Sequence, residues 1–347
     1  MGRSACGSRK RAGSSASKSF EIRKGGQEGG QRLVGGSRVS PPRIGTNHMH
    51  LIKTEGFGDY VLLDSGSGRK LERFGSIVVD RPEPQALWRP KLSRSHWAEA
   101  HAVFSASRDD EEKGKWRIDK PVPSHWPVRI GRVTVLCKLQ GLWHLGLFPE
   151  QKPHWDFMLE RIGEITGRPA RVLNLFAYTG AASLLAASAG AHVTHVDASK
   201  KAVLWAKENQ AASSLGDASV RWIVDDAAKF VAREVRRGRR YDVLIIDPPK
   251  FGRGPAGETW DLFSSLPKML ADCAKLVEGT SASMVLTVYA IRASALAFDQ
   301  LCRQSYEHHG GLFESGELAI APRGGGPCVP TSLFVRWQAG CEMEGGL

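Results

Sequence analysis

Four consecutive predicted strands end in carboxylate or amide residues. Asn174 lies in the run RVLNLF, Asp197 follows HVTHV, the pair Asp225 and Asp226 follows SVRWIV, and Asp247 follows YDVLII. In a parallel sheet the carboxyl ends of the strands share one edge, which is where such folds bind ligands. Grouped carboxylates and amides accept hydrogen bonds from nucleoside hydroxyl and amino groups. The spacing predicts a nucleoside pocket. For Asp197 a helix N-cap, in the run DASKKA, is an equal alternative.

The last of these strand ends continues as DPPKFGR, residues 247–253. Most chains leave a strand through Gly, Asn or Ser, which supply turn geometry at low cost. Two prolines instead fix φ twice and remove two N–H donors, so this turn is stiff. A rigid rim that begins with a carboxylate and carries an aromatic ring suits a site that holds a ligand.

The elements that position these residues alternate between strand-like and helix-like segments from Arg171 onward. Strands are predicted at 171–176, 192–196, 219–224, 241–246 and 283–289, and helices at 180–189, 200–213, 226–237, 261–277 and 293–308. This alternation predicts βαβ units and a parallel sheet. The runs at 312–320 and 331–337 have no helix between them, so they should form an antiparallel hairpin. The predicted fold class is α/β, a doubly wound Rossmann-like sheet with a C-terminal antiparallel hairpin and a small β-rich domain before it.

The small β-rich domain is predicted at 46–140, and the larger domain at 141–340. Short alternating runs (YVLLD, SIVVD, WRID, VTVLCKL) occur in the first of these regions. Tryptophans are interleaved there with basic residues, a composition suited to stacking single-stranded nucleic acid: Trp88, Trp97, Trp116, Trp126 and Trp143. Packing of these rings in the core is the alternative that we favour.

Residues 1–45 differ in composition from the rest of the chain. They hold ten Lys and Arg residues against Glu21 and Glu28, so they carry +8 of the net charge of +12. The composition is typical of a disordered basic tail. A transit peptide and a start assigned too early, with Met49 as the true start, are alternatives. The predicted location is the cytoplasm, or a mitochondrion or plastid if the tail directs import.

Composition excludes several other classes of protein. No apolar run reaches the roughly 18 residues that a membrane span needs, so no membrane partner is expected. The six cysteines show no CxxC pair or metal-ligand spacing, which favours reduced thiols and no metal. The sequence sets no oligomeric state.

The turn after the first strand of the alternating region, AYTGAAS, contains the single glycine Gly180. A dinucleotide site uses GxGxxG, so that the helix N-terminus can receive a pyrophosphate. The pattern therefore disfavours an NAD-type oxidoreductase and favours a nucleoside cofactor without phosphates. Asp197 lies 17 residues beyond Gly180, where an acid can accept both ribose hydroxyls.

Three motifs in this order resemble those of a known family: VLNLFAYTGAASLLAASAGAHVTHVDASKKAVLWAKEN, then DDAAKF, then DPPKFGR. They are similar to the class I S-adenosylmethionine-dependent methyltransferases, and more closely to the bacterial-type 23S rRNA methyltransferase group. The likeness extends from about Gly141 to Trp337, and the upstream β-rich region also resembles the N-terminal part of that group. The resemblance implies S-adenosylmethionine as the cofactor and RNA, namely rRNA, as the partner.

The resemblance also implies roles for individual residues. Asn174, Tyr178 and Gly180 would cradle the methionine part of the cofactor, and Asp197 would hold the ribose. Asp226 would bond the adenine amino group, with Asp225 as a weaker candidate, while Phe148 and Gln151 would close the pocket. The acceptor side would be formed by Asp247, Pro248, Pro249 and Phe251. Lys250 and Arg292 are predicted to contact the substrate, with a plain surface charge as the alternative for Arg292.

For an exocyclic amine acceptor, the Asp247 carboxylate and the Pro248 carbonyl can accept the two N–H bonds while Phe251 stacks on the base. Members of the group that methylate C5 of cytosine use a cysteine after the fifth strand, and LTVYAIRAS has none there. Cys273, expected in the middle of a helix, and Cys302 are predicted to be buried thiols. A base nitrogen is therefore the predicted acceptor. A protein or small-molecule acceptor, and an RNA-binding module without catalysis, are the alternatives.

Overall fold

The computed structural model describes residues 49–107, 113–289 and 292–340. The first elements are β1 (His50–Thr54), β2 (Tyr60–Gly66), β3 (Arg69–Phe74), β4 (Ile77–Pro82), α1 (Arg94–Trp97), β5 (Ala102–Ala106), β6 (Gly114–Ile118), β7 (Trp126–Ile130) and β8 (Val133–Cys137). Strands β2 to β6 form one sheet in chain order, and β7 pairs with β8 in a hairpin. The predicted β-rich region is confirmed, and β2, β4, β6 and β8 coincide with the alternating runs.

The remaining elements follow a 3₁₀ turn at Pro149–Gln151. They are α2 (Lys152–Gly163), β9 (Arg171–Leu175), α3 (Ala181–Ser188), β10 (His192–Asp197), α4 (Lys200–Ala212), β11 (Val220–Val224), α5 (Ala227–Arg236), β12 (Val243–Ile246), β13 (Phe251–Arg253), β14 (Thr259–Asp261), α6 (Leu262–Ala274), β15 (Ser283–Tyr289), α7 (Ala295–Ser305), a 3₁₀ turn at Glu307–His309, β16 (Leu312–Ile320) and β17 (Val329–Gln338).

The main sheet has the strand order β1-β16-β17-β15-β12-β9-β10-β11. Strands β9 to β12 and β15 pair in parallel, whereas β17 is antiparallel to both β15 and β16. The predicted doubly wound sheet with its antiparallel C-terminal hairpin is confirmed.

Helices cover both faces of this sheet. Successive side chains of a strand point to opposite faces, so neighbouring residues of one strand pack against different helices. Val172 of β9 belongs to the apolar cluster that contains Met158 of α2 and Leu184 of α3. The next residue, Leu173, belongs to a second cluster with Phe230 of α5. Strands buried on both faces read as continuous apolar runs, as VLII in β12 does.

Several elements differ from expectation, among them β1 and α6. Strand β1 was not predicted, and it extends the main sheet by pairing in parallel with β16. Gly316 allows this pairing, since a Cβ atom there would collide with the backbone of His50. Helix α6 ends at Ala274 instead of residue 277, because Val277 leaves the helix to make a β-bridge with Tyr241.

The tryptophans of the β-rich region are mainly packing residues. Trp126 and Trp143 are buried, and Trp88, Trp97 and Trp116 are half-buried. The indole nitrogens of four of them donate hydrogen bonds inside the protein, to Ser65, Asp64, Leu142 and Phe74. The packing interpretation of these rings is therefore the better one.

The β-rich region also contacts the larger region directly. The backbone N–H of Leu136 in β8 donates to the side chain of Asn209 in α4 over 2.8 Å, and the Trp205 indole donates to the Leu136 carbonyl over 2.7 Å. The division into domains near residue 140 stays a prediction. The basic tail or transit peptide predicted at 1–45 lies outside the described residues. Among the described residues, no helix is both long and apolar enough to cross a membrane.

Candidate functional site

A cleft of about 910 Å³ opens at the carboxyl ends of the parallel strands. Ten of the predicted site residues line it: Phe148, Gln151, Tyr178, Asp197, Asp226, Asp247, Pro248, Pro249, Lys250 and Phe251. Its volume lies in the range of small-molecule and cofactor pockets. Asn174 instead lines a small cavity next to this cleft, which shares Phe148, Gln151, Tyr178 and Asp247 with it.

The turn after β9 has an unusual backbone. Phe176, Tyr178 and Gly180 have φ values of 56°, 49° and 82°, and the first two are not glycine. Positive φ at such residues costs on the order of 1 kcal/mol or more and persists only where surrounding contacts enforce it. Here the Tyr178 N–H donates to Asp197 over 2.8 Å, and the Thr179 hydroxyl donates to the Gly146 carbonyl over 2.6 Å. The turn is therefore fixed from two sides.

Asn174 and Gly180 lie at the two ends of this turn. The Asn174 side chain is buried in the body of β9, where its amide nitrogen donates to the Ser183 hydroxyl over 2.9 Å. That hydroxyl also bonds Nδ1 of the buried His195 at 3.0 Å. Burial lowers the pKa of His195 to about 3, so the ring is neutral. Gly180 is the N-cap of α3. Neither residue lines the main cleft.

Asp197 is not the cap of the helix that follows it. The N-cap of α4 is Ser199, whose hydroxyl accepts from the Ala202 N–H. The two carboxylate oxygens of Asp197 accept instead from the backbone of Tyr178 and Ser199, over 2.8 and 2.7 Å. Burial raises the pKa of Asp197 from its ordinary value, while these two backbone bonds lower it. The carboxylate is thereby held in one orientation at the wall of the cleft.

Asp225 and Asp226 have different partners. Asp226 is the N-cap of α5, and its Oδ1 accepts from the Lys229 N–H over 2.8 Å. Asp225 forms an ion pair with Arg233 and accepts from the backbone N–H of Asp226. Asp226 lines the cleft and Asp225 does not. Of the two, Asp226 is therefore the residue placed to meet a ligand.

Asp247 sits in a hydrogen-bonded chain that the sequence did not reveal. Gln151 Nε2 donates to Asp247 Oδ2 over 3.2 Å, and the Thr287 hydroxyl donates to Gln151 Oε1 over 3.2 Å. The buried Glu150 side chain also lies near this group. Burial, and then the charge of Glu150, raise the pKa of Asp247 from 3.8 to about 7. A carboxyl group with such a pKa can exchange a proton near neutral pH.

The turn after Asp247 is held by contacts outside itself. The Trp260 indole donates to the Pro249 carbonyl over 2.8 Å, and the Leu262 N–H donates to the Lys250 carbonyl over 3.0 Å. The sequence did not predict the short β13–β14 hairpin that follows. The Phe251 side chain is 64% exposed, and Lys250 Nζ lies 5.0 Å from its ring centre. A large exposed ring on a rigid rim is available to a flat partner.

His144 is a further cleft residue that sequence reasoning missed. Its ring lies 5.0 Å from that of Phe148. Burial, followed by the charges of Arg81 and Lys70, lowers the pKa of His144 to about 3. The imidazole is therefore neutral at physiological pH and adds no positive charge to the cleft.

Arg292 and the cysteines lie away from this cleft. Arg292 is exposed and lines a neighbouring cleft instead. Cys273 is the next-to-last residue of α6 and not in its middle, because that helix ends at Ala274. Cys273 and Cys302 are fully buried, and burial raises the pKa of both thiols far above the ordinary value. Across the described residues, no group of three or more His, Cys, Asp and Glu side chains is arranged to hold a metal ion.

The raised pKa of Asp247 predicts a stability effect. The folded protein keeps this proton up to about pH 7, whereas the unfolded chain loses it near pH 4, so the free energy of unfolding falls between those pH values. We expect Asp247→Asn to raise the Tm of the ligand-free protein more at pH 8 than at pH 5. Asp217→Asn, at an exposed loop position, is the control. An equal gain at both pH values would show that Asp247 titrates normally.

Comparison of the sequence with known proteins gives partial matches to one group of enzymes. Residues 157–285 match the family model described as Conserved hypothetical protein 95. The ribosomal RNA large subunit methyltransferase K/L of Shewanella frigidimarina is 39% identical over 108 residues, which is 30% of this chain and 15% of that protein. The protein of the same name from Syntrophotalea carbinolica is 35% identical over 133 residues, 38% of this chain and 18% of that protein. The chain thus spans less than a fifth of the length of either relative.

Comparison with solved structures covers nearly the whole described chain. A Streptococcus mutans structure has a TM-score of 0.62 over 80% of this chain and 75% of its own, and at 16% identity it shows the shared fold alone. The crystal structure of the SAM-dependent methyltransferase from Agrobacterium tumefaciens has a TM-score of 0.80 and 46% identity, and the match covers 83% of this chain and 93% of that one. With this identity over this length, and with the cleft at the carboxyl ends of the same sheet, the chain belongs to the SAM-dependent methyltransferases.

Proposed function

We propose that this protein transfers a methyl group from S-adenosylmethionine (SAM) to a nitrogen of a base in large-subunit rRNA. One observation carries the proposal. The rigid DPPKF turn presents a carboxylate and an exposed aromatic ring at the rim of the cleft that also contains the oriented Asp197 carboxylate. A nucleoside cofactor and a planar acceptor can therefore meet in one cleft.

The described residues fit SAM. Asp197 is placed to accept the ribose hydroxyls, since each carboxylate oxygen has accepting capacity beyond its one backbone bond. Asp226 uses only Oδ1 for capping, so Oδ2 can accept from the adenine amino group. The fixed turn at Tyr178 and the ring of Phe148 would enclose the methionine part of SAM. The ring centres of Tyr178 and Phe148 lie 5.5 Å apart. Bound SAM would supply an electrophilic methyl group on a sulfonium sulfur.

The acceptor side belongs to Asp247, Pro248 and Phe251. Among the described residues, none donates a hydrogen bond to the Pro248 carbonyl, whereas the Pro249 carbonyl is already bonded to Trp260. Asp247 and the Pro248 carbonyl can therefore accept the two N–H bonds of an exocyclic amine, with Phe251 stacked on its base. The nitrogen must lose a proton when it gains the methyl group, and the ionised Asp247 is the base placed to take it. Pro249 contributes stiffness, and Lys250 would pair with a phosphate.

RNA as the acceptor is supported by the relatives that are named for large-subunit rRNA methylation. The basic residues Lys250 and Arg253 at the rim suit a polyanion, as does the net charge of +12. The bacterial origin of those relatives favours a cytoplasmic location over an organelle. We assign RNA docking to the β-rich region at 46–140 and methyl transfer to 141–340.

Two other chemistries fit less well. An NAD-type oxidoreductase would need a glycine-rich turn to approach a pyrophosphate, and this turn has non-glycine residues at two of its positive φ positions. Covalent attack at cytosine C5 needs an accessible thiolate, whereas Cys273 and Cys302 are buried. Calorimetry with SAM and with NAD tests the oxidoreductase alternative, because we expect only SAM to bind.

Phe251→Ala provides a test of RNA as the acceptor. The loss of one stacked base should weaken RNA binding by about 1 to 3 kcal/mol, without changing the affinity for SAM. Phe263→Ala is the matched control, because Phe263 is also exposed but lies in α6 outside the cleft. The measurement is the Kd for unmodified large-subunit rRNA fragments. Equal Kd values for the two variants would remove Phe251 from the acceptor site.

A further inference from the structure

A second cleft, of about 790 Å³, lies next to the first one. Tyr289 and Ser332 line both clefts. These two residues face each other across the antiparallel pairing of β15 and β17. The adjacent residues Trp143 and His144 divide between the clefts, with Trp143 in the second and His144 in the first. A polymer with one unit bound in the first cleft can therefore extend into the second.

The second cleft offers the groups that recognise a nucleotide. The rings of Trp143 and Tyr289 lie 6.4 Å apart, and the side chains of Gln85 and Thr331 are in the same lining. Arg292 is exposed at this lining and can meet a phosphate, although two lining carboxylates oppose it: Glu317 and the buried Glu83, which pairs with Lys70. Aromatic rings combined with amide and hydroxyl groups and one arginine suit a base with its phosphate.

Two polar atoms in this lining have no partner. The indole nitrogen of Trp143 and the hydroxyl oxygen of Ser332 are buried, and neither has a hydrogen-bond partner among the described residues. Buried polar groups are nearly always satisfied, so each unsatisfied one calls for an explanation. Trp143 and Ser332 both line the cleft. The indole nitrogen can donate a hydrogen bond, and the hydroxyl can donate or accept one. A ligand with base-edge polar atoms would explain both.

The wall that carries Trp143 is already in place without a ligand. Arg81 donates to the Trp143 carbonyl over 3.0 Å, and Lys70 Nζ lies 5.2 Å from the indole ring centre. Both basic side chains are buried in ion pairs, Arg81 with Glu72 and Lys70 with Glu83. This network fixes the segment that separates the two clefts, so binding there requires little ordering.

We propose that the second cleft binds the nucleotide that adjoins the methylated one in the RNA chain. The inference rests on the proposed function, because it takes the first cleft as the site of the methylated base. Tyr289 stacks on the neighbouring base, Arg292 pairs with its phosphate, and Ser332 and Trp143 bond its edge.

The test compares Tyr289→Ala and Arg292→Ala with the wild type in methyl transfer from labelled SAM to unmodified large-subunit rRNA. We expect each variant to raise the KM for RNA about 10-fold, with an unchanged Kd for SAM. Arg292→Ala should also reduce the slope of log affinity against log salt by about 1. Tyr289→Phe keeps the ring and should raise the KM less than Tyr289→Ala does. Arg239→Ala, an exposed arginine outside both clefts, is the matched charge control.

The outcomes separate the two proposals. If the wild type methylates RNA and both alanine variants match Arg239→Ala, the second cleft does not bind the neighbouring nucleotide and the proposed function stands. If the wild type methylates no RNA, both proposals are wrong. If Tyr289→Ala fails to fold, Arg292→Ala decides, because its side chain is exposed.

Discussion

Asp247→Ala is expected to lower kcat for methyl transfer about 100- to 10,000-fold, the usual effect of removing a general base. SAM should still bind, because the carboxylate acts on the acceptor side of the reaction. Methyl transfer at saturating RNA and SAM measures the first effect, and calorimetry measures the second. Asp217→Ala, at an exposed loop, is the control and should have wild-type kcat.

The pH dependence provides an independent check on Asp247. Since burial and Glu150 raise its pKa to about 7, the carboxylate that accepts the amine proton is present mainly above that pH. The wild-type kcat/KM should therefore rise with pH through about 7 and then level off. A profile that is flat from pH 6 to pH 8, or an Asp247→Ala variant with full kcat, would exclude this residue from catalysis.

Asp197→Ala is expected to weaken SAM binding about 100-fold or more. Two charge-assisted hydrogen bonds to the ribose are lost, each worth about 1.5 to 3 kcal/mol. The variant also releases the backbone of Tyr178 and Ser199, so part of the loss comes from a less ordered turn. Calorimetry with SAM gives the Kd, and thermal unfolding reports whether the fold is kept.

Asp225→Asn is the matched control, since Asp225 lies at the end of the next strand and pairs with Arg233 outside the cleft. It should retain the wild-type Kd for SAM. Unchanged affinity in Asp197→Ala would remove Asp197 from the cofactor site.

The sheet and most of its strand ends could be predicted from sequence, because strands buried on both faces read as continuous apolar runs. Strand β1 could not be predicted, since its pairing depends on the close approach that Gly316 permits. The short run HLIKT has little pattern of its own. Long-range pairing, and not local propensity, decides the state of such a segment.

In the site, too, some residues could be predicted from the sequence and others could not. Asp197, Asp226 and Asp247 line the cleft because each lies at or within two residues of the carboxyl end of a parallel strand. Asn174 lies within β9, so its side chain is buried against Ser183. The bond between Gln151 and Asp247 joins residues that are 96 positions apart.

Glu150 and His144 reach the site in the same way. They lie on the segment before α2, and only the folded chain brings that segment to the strand ends.

The most direct measurement uses the full-length protein, SAM labelled in its methyl group, and large-subunit rRNA purified from cells that lack this protein. After the reaction, the rRNA is digested and its nucleosides are identified by mass spectrometry. We predict a labelled nucleoside that carries the methyl group on a base nitrogen, and no labelled nucleoside when Asp247→Ala replaces the wild type. A methyl group on a ring carbon or on ribose, or no label in the RNA, would contradict the proposed function.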